Sequence, residues 1–322
     1  MRIVILDGYT LSQGRDVWGS LASQGQLIVH DRTPVEQIVD RASNAEVVLT
    51  NKTPLRQETL DRLPELRYVA VMATGYNCVD VEAARRRGIP VSNVPEYGTD
   101  SVAQLTFALL LELCHQVGDH DRAVKDGAWT TSPDWCFWRH PLIELSGLKM
   151  GIVGFGRIGR KVGEIAHAFG MDVLAASRSR TSTPAVDRFA WASIPEIFEK
   201  ADVVSLHCPE TADTKGFVTS ALLGRMKKSA FLLNTSRGSL IDEKALAGAL
   251  DQGVLAGAAL DVVSAEPIRA DNPLLQARNC ILTPHLAWAT EAARRRLIEQ
   301  TAGNLAAFKQ GRPRNVVNPG KS

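Results

Sequence analysis

The feature that most constrains the fold is a glycine-rich turn between an apolar run and a helical pattern. Gly154, Gly156 and Gly159 form a G-x-G-x-x-G motif directly after the run Met150–Val153. Apolar residues then recur at the spacing of one helix face, at Val162, Ile165, Ala166 and Phe169. Between a strand and a helix, this motif is typical of a dinucleotide-binding unit, because its glycines permit a tight turn, a close backbone approach to the pyrophosphate and close helix packing.

Short apolar runs alternate with helical patterns along most of the chain. A first series comprises Ile3–Leu6, Val47–Leu49, Tyr68–Met72 and Val91–Val94. A second series comprises Met150–Val153, Val173–Ala176, Val203–Leu206, Ala230–Leu233, Ala258–Val262 and Cys280–Leu282. Strands that alternate with helices predict a parallel sheet, and continuously apolar runs predict strands buried on both faces. The sequence therefore predicts an α/β fold with two Rossmann-like, doubly wound parallel sheets.

Two domains are also expected from the length, since 322 residues exceed the usual size of one hydrophobic core. An almost unbroken apolar pattern at Ser101–Cys114 predicts a buried helix that links the two series. The helical pattern Glu291–Lys309 and the tail Gly311–Ser322 leave no room for a further domain. We therefore expect this last part of the chain to pack back on the first unit.

The composition is that of an ordinary globular protein, with 45% apolar and 22% charged residues. The net charge is +2 and the basic residues are scattered, so no nucleic-acid partner is expected. The five cysteines form no C-x-x-C pair, which predicts reduced thiols and no metal site. The first residues lack a signal-peptide pattern and no apolar stretch reaches the length of a membrane span, so we expect a cytoplasmic protein without membrane contact.

The end of the second strand of the dinucleotide unit indicates which cofactor is bound. An NAD-binding unit usually carries an acidic residue about 20 residues after the glycine motif, where it binds the adenosine ribose. Here Val173–Ala176 is followed by Ser177, Arg178, Ser179 and Arg180, with no acid. Guanidinium groups bind phosphate through paired hydrogen bonds. The sequence therefore favours NADP(H) over NAD(H), with a solvated arginine pair as the alternative.

Three polar residues stand just beyond late apolar runs, at the edge where open α/β sheets bind ligands. They are Arg237, Glu266 and His285. A cation, an acid and a titratable imidazole suit the reduction of a 2-oxo acid. The arginine would hold the carboxylate and polarise the carbonyl, the histidine would supply the proton, and the glutamate would keep the histidine oriented and charged. Taken singly, each could be a surface cation, a loop acid or a packed histidine.

The segment Trp129–Leu142 is dense in aromatic residues and too short and irregular to form a core of its own. Trp138 stands beside Arg139, and both residue types are enriched at the centres of protein interfaces. We expect this segment at a homodimer contact. The alternative is that its rings cover only their own subunit.

Several motifs together resemble the D-isomer-specific 2-hydroxyacid dehydrogenase family over nearly the whole chain. They are Lys149–Gly159, His207-Cys-Pro209, Asn234-Thr-Ser-Arg237-Gly238, Asp261-Val262 with Glu266-Pro267, and Thr283-Pro-His285. Within the family, Thr50–Pro54, Ala73–Asn77 and Tyr97–Gln104 are similar to the glycerate dehydrogenase or hydroxypyruvate reductase branch.

The resemblance implies NAD(P)H-dependent reduction of a small 2-oxo acid of the glyoxylate or hydroxypyruvate type to the D-2-hydroxy acid, and the reverse reaction. It implies that Arg237, Glu266 and His285 are catalytic. It implies that the substrate is bound by Lys52, Thr74, Gly75 and Trp138. The implied cofactor-binding residues are Gly154, Gly156, Arg157, Ile158, Gly159, Ser177, Arg178, Arg180, His207, Pro209, Thr235 and Asp261.

The resemblance also implies how the domains are arranged along the chain. Residues 1–99 and 291–322 would form a flavodoxin-like substrate domain, into which a dinucleotide-binding Rossmann domain of residues 100–290 is inserted. In relatives, the segment that matches Trp129–Leu142 lies at the dimer contact. Trp138 is therefore expected to help shape the active site of the partner subunit.

Other functions on the same fold stay open at this point. Formate dehydrogenases of the family carry Gln where Glu266 stands, which counts against that activity. Phosphite dehydrogenase is harder to exclude, and phosphoglycerate dehydrogenases often carry an extra regulatory domain that is not found here. A dinucleotide-sensing corepressor is the alternative from a different class, although such proteins typically have extended tails.

Overall fold

The computed structural model describes residues 1–180 and 187–320, so the last two residues of the tail Gly311–Ser322 lie outside the described part. Its strands are β1 (Arg2–Ile5), β2 (Gln26–Val29), β3 (Val47–Thr50), β4 (Tyr68–Val71), β5 (Val91–Ser92), β6 (Lys149–Val153), β7 (Asp172–Ala176), β8 (Phe189–Trp191), β9 (Val203–Leu206), β10 (Phe231–Asn234), β11 (Gly257–Leu260) and β12 (Cys280–Leu282).

The helices cover the faces of the sheets. They are α1 (Tyr9–Ser12), α2 (Gly19–Ala22), α3 (Ile38–Ala42), α4 (Gln57–Asp61), α5 (Val81–Arg86), α6 (Thr99–His115), α7 (Val117–Lys125), α8 (Arg157–Ala168), α9 (Ile194–Lys200), α10 (Ser220–Leu223), α11 (Glu243–Asp251) and α12 (Glu291–Lys309). Short 3₁₀ turns lie at Val35–Gln37, Gly238–Leu240 and Pro273–Leu275.

The chain divides into two compact units, one of Met1–Gly98 with Ala289–Ser322 and the other of Thr99–Trp288. The divisions expected from the sequence are at 99/100 and 290/291. The predicted linking helix is α6, which belongs to the second unit.

The first unit contains a five-stranded sheet in the order β2-β1-β3-β4-β5, in which every neighbouring pair is parallel. This is the flavodoxin-like order, which reverses direction between β1 and β3. Strands β3 and β4 are buried along their whole length because every side chain except that of Thr50 is apolar or aromatic. Because the strand order reverses between β1 and β3, the carboxyl ends of these two strands form the switch point where such sheets bind ligands.

The second unit contains a seven-stranded parallel sheet in the order β12-β11-β10-β9-β6-β7-β8. Counted from β6, this is the Rossmann order 3-2-1-4-5-6 with one further strand, and it reverses between β6 and β9. One face is covered by the core around α9, α10 and α11, and the other by the core around α6 and α8. The two sheets confirm the predicted α/β fold with two doubly wound domains.

Strands β2 and β8 are absent from the runs that the sequence predicts. Both lie at the outer edge of their sheet, and both are largely half-buried or exposed rather than buried. Their sequences do contain short apolar runs, Leu27–Val29 and Phe189–Ala192, so composition does not set them apart from the predicted strands. The predicted runs include the other two edge strands, β5 and β12, so an edge position does not explain the omission either.

The C-terminal helix and tail belong to the first unit. Phe308 of α12 stacks on Tyr68 of β4 with ring centroids 4.4 Å apart. The tail then runs antiparallel along the edge strand β5, where Val317 N donates to Val91 O at 2.8 Å. Among the described residues, no helix combines the length and the apolar character needed to cross a membrane.

Candidate active site

His285 and Glu266 lie together beyond the carboxyl ends of β12 and β11. His285 Nδ1 is 2.7 Å from Glu266 Oε2, and the two side chains are 28% and 36% exposed. Because Nδ1 is bonded to the carboxylate, proton exchange with a ligand falls to Nε2. That nitrogen has no hydrogen-bond partner among the described residues. The pair is therefore oriented to act as a proton donor or acceptor.

Asp261 holds the loop that carries His285. Its side chain is 1% exposed, and it accepts hydrogen bonds from Thr283 Oγ1 (2.6 Å), Leu286 N (2.9 Å) and Ala287 N (2.8 Å). Burial raises the pKa of the Asp261 carboxyl above its ordinary value, although these hydrogen bonds oppose the shift. The resemblance assigns Asp261 to the cofactor, whereas in the structure its carboxylate is engaged by the His285 loop.

His285 itself has a left-handed backbone, with φ of 51°. This conformation is uncommon for a residue with a side chain and costs free energy, so it persists only where the surroundings fix it. Its N–H donates to Asp261 O at 2.8 Å, which continues the set of bonds that Asp261 makes to this loop. The loop thus presents the imidazole in one orientation.

Arg237 lies on the turn that leaves β10. Asn234 Nδ2 donates to Arg237 O at 2.8 Å, and Asn234 Oδ1 accepts from Ser236 N at 3.0 Å. The guanidinium donates to Ser236 O through Nη1 at 2.7 Å. Because Asn234 is fully buried at the end of the strand, it fixes the turn from below and the half-buried guanidinium projects from a defined backbone.

Gly238 joins the turn of Arg237 to the loop that leads to Glu266. A Cβ atom at Gly238 would collide with the backbone of Val263 and Ser264. Only glycine therefore allows these two segments to touch. The contact brings the backbones that carry Arg237 and Glu266 to the same edge of the sheet.

The glycine loop lies at the switch point between β6 and β9. Gly154 has φ of +98°, and a Cβ there would collide with the backbone of His207 and Cys208. A Cβ at Gly159 would collide with the Gly154 carbonyl, whereas Gly156 at the start of α8 faces open space. Two glycines thus permit close packing and the third leaves the N terminus of α8 accessible. This arrangement fits a bound pyrophosphate.

The residues around this loop differ in exposure. Arg157 and Ile158 begin α8, the first exposed and the second half-buried. Beyond β7, Ser177 is half-buried and Arg178 is exposed. The guanidinium of Arg180 lies 5.6 Å from the ring centroid of Trp191 on β8, which limits where this cation can sit.

Three further predicted cofactor residues follow β9 and β10. His207 Nε2 is 2.8 Å from Ser205 Oγ, and burial lowers the pKa of His207 to about 4, so this imidazole is neutral near pH 7. Thr235 is buried, and its hydroxyl is hydrogen-bonded to the Thr106 hydroxyl at 3.1 Å. Pro209 is exposed.

The first unit has its own candidate binding edge, where Lys52 follows β3. The backbone N–H groups of Asn51, Lys52 and Thr53 donate to the carboxylate of Asp7 at 2.7, 2.6 and 2.7 Å. Asp7 itself follows β1, so one acid spans the switch point of the five-stranded sheet. This leaves the Lys52 side chain exposed on a loop whose backbone is fixed.

Thr74 and Gly75 lie on the loop after β4. The carbonyl of Ala73 accepts from Val94 N at 3.0 Å, and the carbonyl of Thr74 accepts from Asn93 Nδ2 at 2.7 Å. In a trans peptide the C=O and N–H point in opposite directions, so the N–H groups of Thr74 and Gly75 both point away from Asn93 and Val94. Neither N–H donates to any other described residue. Two adjacent donors are thus available to a ligand.

Trp138 lies on the irregular segment that follows α7. It is 65% exposed, and Trp135 and Trp129 are 86% and 52% exposed. Trp129 Nε1 donates to Trp135 O at 3.0 Å, and Arg139 N donates to His120 Nε2 of α7 at 3.1 Å. The segment is therefore anchored to its own unit while its indole rings face outward.

Comparison with known proteins decides the family. The D-isomer specific 2-hydroxyacid dehydrogenase NAD binding domain matches residues 107–287. The chain belongs to the D-isomer specific 2-hydroxyacid dehydrogenase family. It is 48% identical over 321 residues to a protein named hydroxypyruvate reductase from Blautia hydrogenotrophica, covering 99% of this chain and 100% of that protein.

Two further proteins are similar to this dehydrogenase over most of its length. A protein named glyoxylate reductase from Korarchaeum cryptofilum is 40% identical over 288 residues, which cover 87% of this chain and 85% of that protein. The solved structure of an acyclic imino acid reductase in complex with NADPH and D-Arg is 30% identical with a TM-score of 0.84, covering 98% of this chain and 100% of that chain.

Some residues that support the candidate binding edges of the two sheets are not predicted from the sequence. Asp7 could have been found, because it is an acid directly beyond a buried apolar run. Asn93 carries no such signal, since an asparagine before a proline-containing loop is common and its partner Thr74 is distant in the chain. Asn234 was part of a motif, but its role as the support of the Arg237 turn needed coordinates.

Proposed function

We propose that this dehydrogenase reduces a small 2-oxo acid of the glyoxylate or hydroxypyruvate type to the D-2-hydroxy acid, and catalyses the reverse. The observation that carries the proposal is the His285–Glu266 pair at 2.7 Å, in which Nε2 is available and the Glu266 loop touches the turn of Arg237 at Gly238. The names of the relatives at 48% and 40% identity support this choice of acid.

Each residue of the triad has one task in the proposed reaction. Arg237 binds the substrate through its guanidinium and polarises the 2-oxo C=O. When bound, the reduced nicotinamide supplies the hydride to C2. The electron pair of the C=O bond moves to oxygen, and His285 Nε2 delivers the proton to that oxygen. Glu266, bonded to Nδ1, holds the ring so that Nε2 faces the substrate and compensates the imidazolium charge.

We propose that the substrate carboxylate is bound by the backbone N–H groups of Thr74 and Gly75. Two adjacent N–H groups with no partner in the described chain match the two oxygens of a carboxylate. The exposed Lys52 adds a positive charge at the same edge of the five-stranded sheet. These contacts supply binding, whereas the triad supplies the chemistry.

We further propose that NADPH is the preferred reductant. The position after β7 that usually binds the ribose hydroxyls carries Ser177 and Arg178 in place of an acid. The exposed guanidinium of Arg178 suits a 2′-phosphate. Asp261, Thr235 and His207 would act on the cofactor side mainly as supports, since the side chain of each is already hydrogen-bonded within the protein.

We also propose a cytoplasmic homodimer in which Trp138 helps form the partner subunit's active site. Trp129, Trp135 and Trp138 of this one segment are exposed, and exposed tryptophans are enriched at interfaces. Sedimentation should show a dimer at micromolar concentration. Trp138→Ala should keep the dimer but change the ranking of 2-oxo acids by size, and an unchanged ranking would make Trp138 a structural residue only.

The test of the activity is a substrate panel. Glyoxylate, hydroxypyruvate, pyruvate and a bulkier 2-oxo acid are each assayed with NADPH and with NADH at equal concentration. We expect the highest kcat/KM with glyoxylate or hydroxypyruvate, and with NADPH. No oxidation of either cofactor by any acid would overturn the proposed reaction, and a preference for NADH would overturn the proposed cofactor.

A further inference from the structure

A line of three asparagines runs from the C-terminal tail to the loop of Thr74. Asn315 Nδ2 donates to Asn304 Oδ1 at 2.9 Å, and Asn304 Nδ2 donates to Asn93 O at 2.9 Å. Asn93 Nδ2 in turn donates to Thr74 O at 2.7 Å. We propose that Asn93, Asn304 and Asn315 are positioning residues that set the direction of the Thr74 and Gly75 N–H groups. This inference rests on the proposed carboxylate binding by those groups.

The orientation of each amide in this line is fixed by its partner. Asn93 and Asn304 both face backbone carbonyls, which only accept hydrogen bonds, so each must present its NH₂ group there. The other end of Asn304 is then its oxygen, and Asn315 must donate to it. The three side chains can be arranged in only one way. Asn304 holds the main chain of Asn93, and the Asn93 side chain makes the separate bond to Thr74 O.

Burial makes this line costly to disturb. Asn304 is 1% exposed on α12, and Asn93 is 9% exposed beyond β5. A buried polar group that loses its partner keeps its desolvation cost, so neighbouring groups shift to recover a bond. The tail is tied to the same place by its backbone, since Asn93 N donates to Asn315 O at 3.1 Å. The line is therefore a rigid support rather than a surface contact.

The last bond of the line is made to the Thr74–Gly75 peptide, whose N–H is proposed to bind the substrate carboxylate. Asn93 holds the carbonyl of the Thr74–Gly75 peptide, and the N–H of that same planar peptide points the opposite way. If the Asn93 bond is lost, the peptide plane is free to rotate and the Gly75 N–H turns with it. Ala73 O remains bonded to Val94 N, so the Thr74 N–H is affected less. A carboxylate would then lose one of two aligned donors.

The test uses three substitutions in the full-length enzyme. Asn93→Asp and Asn304→Asp keep the shape of the side chain and remove its donor, and Asn315→Ala removes a donor at an exposed residue. The matched control is Gln24→Ala, because the Gln24 amide also donates to α12, at Ala302 O (2.8 Å), but is not part of the line. For each variant, kcat and KM for the 2-oxo acid and Kd for NADPH are measured.

We expect the effect to fall with distance from Thr74. KM for the 2-oxo acid should rise about tenfold in Asn93→Asp, about fivefold in Asn304→Asp and about twofold in Asn315→Ala, as expected for lost hydrogen bonds. The value of kcat and the Kd for NADPH should change by less than about twofold, because the triad and the dinucleotide loop are untouched. Gln24→Ala should keep the wild-type KM.

Some outcomes would overturn the inference. Folded variants that keep the wild-type KM would show that the asparagines serve stability alone, even if their melting temperature falls. If Asn93→Asp does not fold, the ratio of KM between Asn304→Asp, Asn315→Ala and Gln24→Ala decides the same question. A wild-type enzyme that reduces no 2-oxo acid would instead overturn the proposed function, and this inference with it.

Discussion

The carboxyl edges of the two sheets present ligand-binding groups of different kinds. At the edge of the seven-stranded sheet the groups proposed for the chemistry are side chains, namely Arg237 and His285, while the exposed Arg178 and the N terminus of α8 serve the cofactor. At the edge of the five-stranded sheet the carboxylate donors are the backbone N–H groups of Thr74 and Gly75, to which Lys52 adds a charge. One group in each unit is held by a buried polar side chain: Asp261 holds the His285 loop, and Asn93 holds the Thr74 carbonyl.

The difference follows from what each edge has to do. Proton transfer and charge stabilisation require titratable or cationic side chains, whose identity cannot be changed without losing the reaction. Binding a carboxylate requires only donors in the right direction, and every residue except proline supplies a backbone N–H. The residues that then determine binding are the supports, because they set that direction.

The largest expected effect is the loss of side-chain chemistry at the seven-stranded sheet. His285→Ala and Arg237→Ala should each lower kcat/KM for the 2-oxo acid by at least about 10²-fold, because a proton donor or the group that polarises the carbonyl is removed. The decrease should be seen mainly in kcat for His285→Ala. Steady-state kinetics with saturating NADPH measures both.

The control for this prediction is His167→Ala, an exposed histidine on α8 of the same unit. It should keep the wild-type rate. An Arg237→Ala enzyme with wild-type kinetics would remove the contrast between the two edges, because the chemistry would then not depend on these side chains.

The second effect concerns phosphate binding by a side chain. Arg178→Ala should raise KM for NADPH at least about tenfold, since charge-assisted hydrogen bonds to a phosphate contribute more than neutral ones. NADH, which lacks the 2′-phosphate, should be used about as well as before. Titration of both cofactors against the variant checks this. The control is Arg188→Ala, an exposed arginine directly before β8 that lies near Asp172 at the start of β7. Equal losses for NADPH and NADH would contradict the prediction.

A smaller effect on the kinetics is expected at the five-stranded sheet, where the substitution changes Asp7, which holds the Lys52 loop, and no group that binds the substrate itself. Asp7→Asn replaces one acceptor oxygen with an NH₂ group, which must face at least one of the N–H groups of Asn51, Lys52 and Thr53. The Lys52 loop should shift, and KM for the 2-oxo acid should rise about fivefold while kcat is nearly unchanged. A variant that loses kcat but keeps KM would show that this edge takes part in the chemistry.

The same contrast explains how much the sequence predicts. The strand pattern predicts the interior strands, and the motif spacing predicts Arg237, Glu266 and His285, because burial and chemistry restrict the residue types at those positions. The edge strands β2 and β8 are missed although each contains a short apolar run. Asn93, Asn304 and Asn315 are missed because the bonded pairs are 211 and 11 residues apart in the chain and meet only through tertiary structure.

The smallest expected effect is on stability and compares the histidines that follow strands in the two units. Burial lowers the pKa of His207, after β9, to about 4, and burial together with Arg41 lowers the pKa of His30, after β2. A histidine with a lowered folded-state pKa stabilises the fold above its ordinary pKa of about 6.5, and that stability is lost as the pH falls toward the folded-state value. The unfolded chain takes up the proton first.

Between pH 7.5 and pH 6, protonation of His207 in the unfolded chain should lower the free energy of unfolding by at most about 1 kcal/mol, which corresponds to a few degrees in Tm. His207→Gln should reduce this acid-dependent fall in Tm, and His30→Gln should reduce it less, because His30 follows an edge strand. Thermal unfolding across this pH range measures both, and an equal response of the two variants would show that position in the sheet does not govern the protonation of these histidines.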